Sequence, residues 1–380
     1  MPDRTLRTLD QLIADGLVTP AAATGLTRIA ERYAISLTGP MRDLISDGDT
    51  IGPIARQFLP DLREANVHPL ELSDPIGDQP HTPLPGIVHR YPDRVLLKVV
   101  SVCPVYCRFC FRRDMIGPEH GNGILDDRTV DRALAYIGER REVNEVILTG
   151  GDPFILSPRR INRLTKAIGS IDHVTKIRWH TRVPVVEPSR ITAEFIAALR
   201  TDQASVRVAV HANHSCELTP PAISACNSLR QAGIALLSQT VLLRHINDDA
   251  ATLAHLMRAF AEVGIQPYYL HHGDLAPGTA HFRTTIAEGK SIVSALAQML
   301  APEHCPSYVL DLPGGHGKVP VNDANFAMQA DGSYLVSAAD GSRHSYRDVV
   351  EGCSRASDQR SSTGATPLRS RIRLAKRVNR

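Results

Sequence analysis

The stretch Cys103-Pro-Val-Tyr-Cys107-Arg-Phe-Cys110-Phe-Arg112-Arg113 decides how the whole chain is interpreted. Its three cysteines follow the spacing C-x₃-C-x₂-C, and arginines stand among them and directly after them. Three thiolates can hold a four-iron cluster and leave one iron free to bind an exchangeable ligand. A structural zinc site usually has four protein ligands, and no further Cys or His lies at short spacing here. The spacing therefore favours an open iron–sulfur cluster over a zinc knuckle or three unrelated buried cysteines.

The composition describes a globular chain of 380 residues that is 43% hydrophobic, enough for one large core with accessory segments. Its seven cysteines, an odd number with three at one site, indicate reduced thiols rather than a disulfide framework. The first residues include early acidic side chains and no apolar stretch typical of a secretory signal. No run approaches the roughly 20 apolar residues that a membrane span needs. We therefore expect a soluble, cytoplasmic protein.

The formal charge of +3 is unevenly distributed along the chain. Residues 352–380 hold eight Arg or Lys against one acidic residue, Asp358, so the remaining chain is slightly negative. The tail at 354–380 is rich in Ser, Thr and Arg and has no aromatic residue on which a base could stack. This composition favours a disordered basic tail over a nucleic-acid-binding arm.

Residues 1–85 are predicted to form short helices separated by prolines, with Pro20 well placed in the first turn of one helix. This segment supports the core or covers a site, and nothing in it carries obvious chemistry. Residues 322–353 form a C-terminal extension with a predicted hairpin, Ser333–Val336 and His344–Tyr346, around Asp340-Gly341.

Residues 86–321 alternate between β-branched apolar runs and helical patterns. The predicted strands are Val95–Val102, Glu145–Leu148, Lys176–Trp179, Ser205–Val210, Ala235–Leu242, Pro267–Leu270 and Tyr308–Leu310. The helical patterns between them include Val130–Arg141, Ile161–Ile168, Pro220–Gln231 and Ala250–Val263. Strands that alternate with helices form a parallel sheet, so this region predicts an α/β fold, a partial or full (β/α) barrel of the TIM type.

Polar residues recur where the predicted strands end, and barrel enzymes build their sites at the C-terminal ends of strands. Any one of them alone is usually a satisfied core or cap residue, but their recurrence on one rim predicts a site. Gly150-Gly151-Asp152-Pro153 would also let a small ligand approach the backbone closely. The stretches that follow the strands are Cys103, Thr149–Pro153 with Gly150, Gly151 and Asp152, His180-Thr181-Arg182, His211, His271–Asp274 and Asp311–Lys318, with Gln239 inside the fifth strand.

Pro313-Gly-Gly-His-Gly-Lys318 places a lysine behind several glycines, as a phosphate-binding loop does. The Walker pattern fails, because Val319 follows the lysine and Leu312 stands where the first glycine belongs. A lysine on a flexible loop at a barrel mouth suits a Schiff base to pyridoxal phosphate, with an ordinary exposed lysine as the alternative. His89–Arg94 offers two guanidiniums and a phenol that suit a phosphate, unless they form only surface ion pairs.

Together these stretches resemble the lysine 2,3-aminomutases, a family of the radical S-adenosylmethionine superfamily. The resemblance runs from about Ile35 through Val321. Four stretches carry it: Pro85–Val95, the cysteine motif with Arg112-Arg113, His211-Ala-Asn-His, and Asp274–Arg283 with Asp311–Lys318. It implies a barrel of the radical S-adenosylmethionine type with three cofactors: a 4Fe-4S cluster, S-adenosylmethionine and pyridoxal 5′-phosphate.

The resemblance also implies a role for each candidate residue. Cys103, Cys107 and Cys110 would bind the cluster, and Gly150, Gly151, Asp152, His211 and Gln239 would line the S-adenosylmethionine site. Lys318 would hold pyridoxal phosphate, with Arg90 and Arg94 near its phosphate and Tyr91 beside its ring. Arg112 would bind the substrate carboxylate, and Asp274 and Asp311 would select an ammonium at the far end of L-lysine over the second carboxylate of glutamate.

The implied reaction is the interconversion of L-lysine and β-lysine by 1,2-amino migration, started by a 5′-deoxyadenosyl radical. An electron donor such as flavodoxin or ferredoxin and a homo-oligomer are expected. One departure is that only Cys353 follows Cys305, which puts in doubt the intersubunit zinc that some family members carry. The alternatives are a branch that supplies β-lysine for modification of a translation elongation factor, an aminomutase for another amino acid, an enzyme that consumes S-adenosylmethionine, and a non-catalytic metal-binding module.

Overall fold

The computed structural model describes residues 4–45, 49–116 and 123–352, so Cys353 and the predicted basic tail lie outside the described residues. The N-terminal segment begins with four short helices. The side-chain oxygen of Thr19 accepts a hydrogen bond from the backbone N–H of Ala22, and Pro20 occupies the first turn as predicted. These helices are α1 Leu9–Ala14, α2 Pro20–Arg32, α3 Gly39–Asp43 and α4 Pro53–Phe58.

A nine-stranded sheet forms the centre of the molecule, and its strands follow one another in sequence order. The seven strands from β2 to β8 run parallel, and β1 and β9 are antiparallel to their neighbours at the two edges. The strands are β1 Ile87–Tyr91, β2 Arg94–Val100, β3 Glu145–Gly150, β4 Lys176–Thr181, β5 Ser205–His211, β6 Ala235–Val241, β7 Ile265–His271, β8 Ser307–Asp311 and β9 Lys318–Pro320.

The sheet forms a partial barrel. It is open because its two edge strands, β1 and β9, do not pair with each other within the described chain. The predicted α/β fold is therefore confirmed as the open form. All seven predicted strands are present, with each end within two residues of its predicted position. This agreement follows from their β-branched runs, which are buried against helices on the outer face of the sheet.

The helices that connect the parallel strands lie on the outer face, where Leu148, Val208, Leu229 and Met257 share one core. The predictions for α9 and α10 are confirmed, and α5 and α6 begin three residues earlier than predicted. These helices are α5 Asp127–Gly138, α6 Pro158–Gly169, α7 Val183–Val186, α8 Ala193–Ala198, α9 Pro220–Gln231, α10 Ala250–Val263 and α11 Ile286–Met299. No helix in the described part of the chain is long and apolar enough to span a membrane.

The two edge strands were not predicted from the sequence. In β9, Lys318 is the register partner of Asp311, the last residue of β8, so the lysine begins a strand instead of lying in a flexible loop. The turn before it needs glycine, since Gly314, Gly315 and Gly317 all have φ between +84° and +88°. Three residues that include a proline are too short a pattern to predict a strand.

The C-terminal extension forms a separate three-stranded antiparallel sheet. The predicted hairpin is confirmed, and an unpredicted strand pairs with it. Tyr334, Val336 and Tyr346 pack with Leu270 and Leu310, so this sheet covers the core beside β7 and β8. Its strands are β10 Phe326–Met328, β11 Tyr334–Ser337 and β12 Arg343–Tyr346.

Candidate active site

The three cysteines lie on one loop after β2, and the N-terminal segment holds the backbone of that loop. The hydroxyl of Ser36 donates to the carbonyl of Pro104 at 2.6 Å, and the backbone N–H of Tyr106 donates to the carbonyl of Ser36 at 2.8 Å. The backbone N–H of Arg108 donates to the carbonyl of Gln57 at 2.9 Å. Ser36 and Gln57 therefore help to shape the cysteine loop, although they lie far before it in the sequence.

A buried carboxylate holds two arginines of this loop. Glu64 is fully buried, accepts two hydrogen bonds from Arg108 at 2.9 and 2.5 Å, and forms a further ion pair with Arg113. Burial alone would raise the pKa of Glu64, but the two guanidiniums hold that pKa below its ordinary value. The sequence pattern assigned no charged role to residues 1–85, so this ion-pair cluster was not predicted. This segment supplies the countercharge of the cysteine loop.

The three thiols fit an iron–sulfur cluster in their chemistry. Partial burial raises the pKa of Cys103 well above its ordinary value and the pKa of Cys110 to about 11, so a bound metal would be needed to keep them as thiolates. The Nη1 of Arg182 donates a hydrogen bond to the Sγ of Cys107 at 3.0 Å. No three described His, Cys, Asp or Glu side chains converge closely enough to hold a single metal ion. The cysteines of a cluster bind different irons and need not converge on one point.

Arg182 is itself held from two other segments. Its Nη2 donates to the Oε1 of Gln57 at 2.5 Å and to the Oε2 of Glu217 at 2.6 Å. Gln57 and Glu217 are fully buried, and the sequence pattern pointed to neither of them. Arg182 belongs to the polar stretch after the third predicted strand, but no role was predicted for it. The position of Arg182 directly after β4, on the predicted rim, was the signal that pointed to this group.

Gly150 is the last residue of β3 and Gly151 follows it, and both pack closely against the end of β2 and the start of the cysteine loop. A Cβ on Gly150 would lie 2.1 Å from the carbonyl oxygen of Val100, and a Cβ on Gly151 would lie 2.2 Å from that of Val102. Gly150 also has a φ of +118°, which only glycine adopts readily. The close approach that these glycines permit is therefore, first of all, that of the chain's own cysteine loop.

Asp152 joins the turns that follow β3 and β4. Its carboxylate accepts hydrogen bonds from the hydroxyl of Thr181 at 2.7 Å, from the backbone N–H of Arg182 at 2.7 Å and from that of Phe154 at 3.0 Å. Burial raises its pKa despite these donors. In this arrangement Asp152 fixes the position of Arg182 and hence of the hydrogen bond to Cys107.

His211 and Gln239 connect the cysteine loop to the opposite half of the barrel. They are register partners on β5 and β6. The ring of His211 lies edge-on to Phe109 of the cysteine loop, with centroids 5.8 Å apart. The Nε2 of Gln239 donates to the Nε2 of His271 on β7 at 3.4 Å.

A hydrogen-bonded chain continues from His271 to Lys318. The Nδ1 of His271 donates to Asp311 at 3.1 Å, and the Nζ of Lys318 contacts both oxygens of Asp311 at 2.6 and 2.5 Å. Burial alone would raise the pKa of Asp311, but the Lys318 ammonium and the His271 bond lower it below its ordinary value. The backbone N–H of Lys318 donates to the phenol oxygen of Tyr91 at 2.8 Å. The structure thus brings Lys318, Asp311, Gln239 and Tyr91 into one hydrogen-bonded group through His271.

Asp274 lies next to this group and has no ion pair of its own among the described residues. Its Oδ1 is buried and has no hydrogen-bond partner there. Burial first, and then the charge of Asp311, raises the pKa of Asp274 to about 8. Two neighbouring carboxylates cannot both ionise readily unless a cation compensates them, so this pair is suited to a positively charged ligand.

The opposite side of the site is positively charged. Arg112, Arg90 and Lys98 surround the carboxylate of Asp78, at 3.0, 3.3 and 3.7 Å respectively. The side chain of Asp78 is only 1% exposed, and the sequence reasoning missed it because it lies in the proline-rich segment. Three cations around one carboxylate leave a positive excess that suits anionic ligands.

Arg94, the second predicted phosphate residue, does not join these three cations. Its guanidinium stacks on the ring of Tyr91 at 4.1 Å from the centroid and pairs with Asp93 at 3.1 Å. The structure thus places Arg90 in the positive cluster and Arg94 on the outer side of Tyr91, about one third exposed.

Comparison with known proteins shows which family the chain belongs to. Residues 97–257 match the Radical SAM superfamily model. The L-lysine 2,3-aminomutase of Fusobacterium nucleatum is 36% identical over 297 residues, which are 78% of this chain and 69% of that protein. Those of Clostridium subterminale and Acetoanaerobium sticklandii are 33% and 34% identical over 316 residues, covering 83% of this chain and 75% and 76% of those proteins.

These relatives confirm the resemblance inferred from the sequence. A radical S-adenosylmethionine enzyme carries a 4Fe-4S cluster and S-adenosylmethionine, and the three thiols described above fit the first of these. The chain therefore belongs to the lysine 2,3-aminomutase family of radical S-adenosylmethionine enzymes.

Proposed function

We propose that this protein is a lysine 2,3-aminomutase that interconverts L-lysine and β-lysine and uses pyridoxal phosphate bound at Lys318. The observation that carries the proposal is the polarity of the site. Arg90, Lys98 and Arg112 share the single carboxylate of Asp78 on one side. Next to them, the carboxylates of Asp274 and Asp311 face the ammonium of Lys318, and Arg112 and Arg283 act on Asp274 more weakly.

L-lysine matches this polarity at both ends. Its α-carboxylate suits Arg112, whose guanidinium is nearly buried, and its ε-ammonium suits Asp274 and Asp311. Asp311 already holds an ammonium, that of Lys318, so it is arranged to receive another when the Lys318 side chain moves away. Glutamate would set a second carboxylate against both aspartates, and burying a charge without its partner costs about 2–5 kcal/mol.

The residues around Lys318 fit pyridoxal phosphate. Lys318 supplies the amine, the Nε of Arg90 is buried without a hydrogen-bond partner, and the positive cluster has charge to spare for a phosphate. A Cβ on Gly317 would lie 2.9 Å from the Tyr91 hydroxyl, so glycine lets Tyr91 approach the backbone of this turn. When bound, the cofactor would supply a conjugated ring attached to the substrate nitrogen, which eases nitrogen migration between neighbouring carbons.

The opposite half of the barrel is proposed to hold the other two cofactors. Cys103, Cys107 and Cys110 would hold the cluster, and Gly150, Gly151, Asp152, His211 and Gln239 would line the S-adenosylmethionine site. The cluster and S-adenosylmethionine together would supply the 5′-deoxyadenosyl radical that abstracts hydrogen from the substrate. The protein's own contribution is to fix the two halves against each other, here through the Gln239–His271–Asp311–Lys318 chain, and to exclude water.

The direct test is anaerobic reconstitution with iron and sulfide, followed by incubation with S-adenosylmethionine, pyridoxal phosphate, a one-electron reductant and L-lysine. We expect β-lysine by amino-acid analysis, no turnover of L-glutamate, and none of L-lysine by the Cys107→Ala variant. The matched control is Cys216→Ala, because Cys216 is exposed and distant from the cysteine loop in the sequence. Comparable rates on glutamate would contradict the substrate assignment.

The cofactor assignment is tested separately by borohydride reduction and peptide mapping. We expect the pyridoxyl label on Lys318. A label on Lys98, which lies in the positive cluster, or on the surface residue Lys290 would overturn the assignment while leaving the family membership intact.

A further inference from the structure

Asp78 occupies a position that the proposed roles of its neighbours do not explain. It is a nearly fully buried acid in direct contact with the guanidinium proposed to bind the substrate carboxylate. Its Oδ2 accepts hydrogen bonds from both the Nε and the Nη2 of Arg112, at 3.3 and 3.0 Å. Its Oδ1 accepts one from the Nη2 of Arg90 at 3.3 Å. An anion at this point either competes with the substrate or orients the arginine toward it.

The turn that carries Asp78 is fixed from both sides, which argues against a movable competitor. The backbone N–H of Asp78 donates to the Oδ1 of Asp74 at 2.8 Å. A Cβ on Gly77 would lie 2.2 Å from the backbone nitrogen of Gly315, and the Nε2 of His81 donates to the carbonyl of Gly315 at 3.0 Å. The Asp78 turn is therefore packed against the glycine turn that leads to Lys318. The backbone of the Asp78 turn therefore cannot move away from Arg112 unless the two turns separate.

The geometry at Arg112 leaves one part of the guanidinium available. Asp78 contacts the Nε and Nη2 with a single oxygen, and the Nη1 of Arg112 makes no hydrogen bond within the described residues. A guanidinium can bind a second carboxylate end-on through Nη1 and Nη2 while its Nε side stays engaged. The stacking of Arg112 on Phe111, at 4.4 Å from the ring centroid, further limits how the group can turn.

We propose that Asp78 is a positioning residue that holds the Nε side of Arg112 and so presents its Nη1 to the α-carboxylate of the substrate. This inference rests on the proposed function, since it assumes that Arg112 binds that carboxylate. It assigns to the proline-rich segment a part in substrate selection: ligands with a carboxylate depend on Asp78, and ligands without one do not.

The test compares L-lysine with cadaverine, which is lysine without its carboxylate, in the wild type and in Asp78→Asn. Binding is followed by the change in absorbance of the bound pyridoxal phosphate, without cluster or turnover. We expect the dissociation constant of lysine to rise about tenfold in Asp78→Asn, because a poorly aligned hydrogen bond between charged groups is weaker by about 1.4 kcal/mol. The dissociation constant of cadaverine should stay within about twofold of the wild-type value. Asp323→Asn, which changes only an exposed ion pair with Lys290, should alter neither constant.

Three outcomes would overturn the inference. Equal weakening of lysine and cadaverine would mean that Asp78 only supports the fold, tighter lysine binding would mean that Asp78 competes with the substrate, and unchanged constants would mean that it has no role. If Asp78→Asn holds no pyridoxal phosphate, Asp78→Glu, which keeps the charge but shifts it by one methylene, must show the same selective loss of lysine. If the absorbance of pyridoxal phosphate in the wild type changes with neither L-lysine nor cadaverine, the proposed function itself is contradicted.

Discussion

The two halves of the barrel treat buried charge in opposite ways. In the cysteine half, Glu64 offsets Arg108 and Arg113, and Glu217 pairs with Arg182 at 2.6 Å. Each of these guanidiniums has a buried protein carboxylate within the described residues. The Lys318 half consists of Asp78 with its three cations, together with Lys318, Asp311 and Asp274. In this half, cations collect around one carboxylate and carboxylates collect around one ammonium.

This difference indicates what each half is built to hold. A metal cluster needs thiols at fixed positions, and buried ion pairs with good geometry can fix a loop without inviting other charged ligands. An amino acid with charges at both ends needs the reverse, because charges left unpaired by the protein are available to the ligand. The cysteine half is therefore a closed scaffold, and the Lys318 half is a site that its ligands complete.

The largest effect is expected from breaking the balance of the cysteine half. Glu64→Gln would leave Arg108 and Arg113 buried without a countercharge. Removing one partner of such a buried group destabilises a protein by about 3–5 kcal/mol. We expect a loss of this size in the free energy of unfolding in urea, measured on the cluster-free protein under reducing conditions, and a lower yield of reconstituted cluster.

The matched control is Glu351→Gln. Glu351 pairs with Arg63, the residue next to Glu64, but at 3.3 Å on the protein surface. Surface pairs contribute at most about 1 kcal/mol, so this variant should unfold nearly like the wild type. Equal stabilities of the two variants would count against the countercharge role of Glu64.

The next effect is the pH dependence of lysine binding in the Lys318 half. In the free protein the pKa of Asp274 is raised to about 8, first by burial and then by Asp311. A bound ε-ammonium favours the ionised carboxylate, so below pH 8 lysine binding must release the proton of Asp274. We therefore expect lysine affinity to rise with pH by at most about tenfold per unit, up to about pH 8, and then to level off. Asp274→Asn should bind lysine weakly and without this slope.

The same shift has a consequence for stability with the opposite sign. Between the unfolded pKa of about 4 and the folded value, the folded protein binds the proton and the unfolded chain does not, so this group lowers stability as pH rises. The difference in unfolding free energy between Asp274→Asn and the wild type should therefore grow from about pH 4 to pH 8 in favour of the variant. A difference that does not change with pH would show that Asp274 titrates normally.

The sequence predicted those parts of the molecule that local patterns encode. The cysteine spacing, the seven parallel strands and the residues at their ends follow from runs of a few residues each, and the structure brings Lys318, Asp311 and Asp274 to one edge of the sheet. The edge strands escaped prediction because they are short and owe their pairing to β2 and β8. Their own residues show no clear alternation.

The partners of buried charges could not be predicted in the same way. Glu64 and Asp78 lie in short helical turns or proline-rich stretches, where an acid is normally solvated, and the arginines of the cysteine loop that they bind are 34 or more residues away. One signal was present: two arginines in an apolar cysteine motif cannot be buried without carboxylates. That signal requires partners but does not say which of the 40 acidic residues supply them.

The smallest effect is expected at the hydrogen bond between Arg182 and Cys107, one of the thiols proposed to bind the cluster. Arg182 forms an ion pair with Glu217 through its Nη2 and donates a hydrogen bond to the Sγ of Cys107 through its Nη1. A hydrogen bond to a cluster sulfur stabilises the more negative, reduced state and so raises the reduction potential. Arg182→Lys has one nitrogen in place of a fork and cannot serve Glu217 and Cys107 together. Glu217→Gln removes the charge that opposes Arg182. Its single carboxamide oxygen can keep either the bond from Arg182 or the bonds that Oε1 accepts from Gln57 and from the backbone of Asn213 and His214.

The two variants should therefore move the potential in opposite directions, Arg182→Lys to more negative and Glu217→Gln to more positive values. A tenfold change in a one-electron equilibrium corresponds to 59 mV, and we expect shifts of about this size or less. Potentiometric titration of the reconstituted cluster, followed by electron paramagnetic resonance, measures them without turnover. Shifts of the same sign would mean that both variants only loosen the cysteine loop. Opposite signs would show that the charge pairing of this half also sets how readily the cluster accepts its electron.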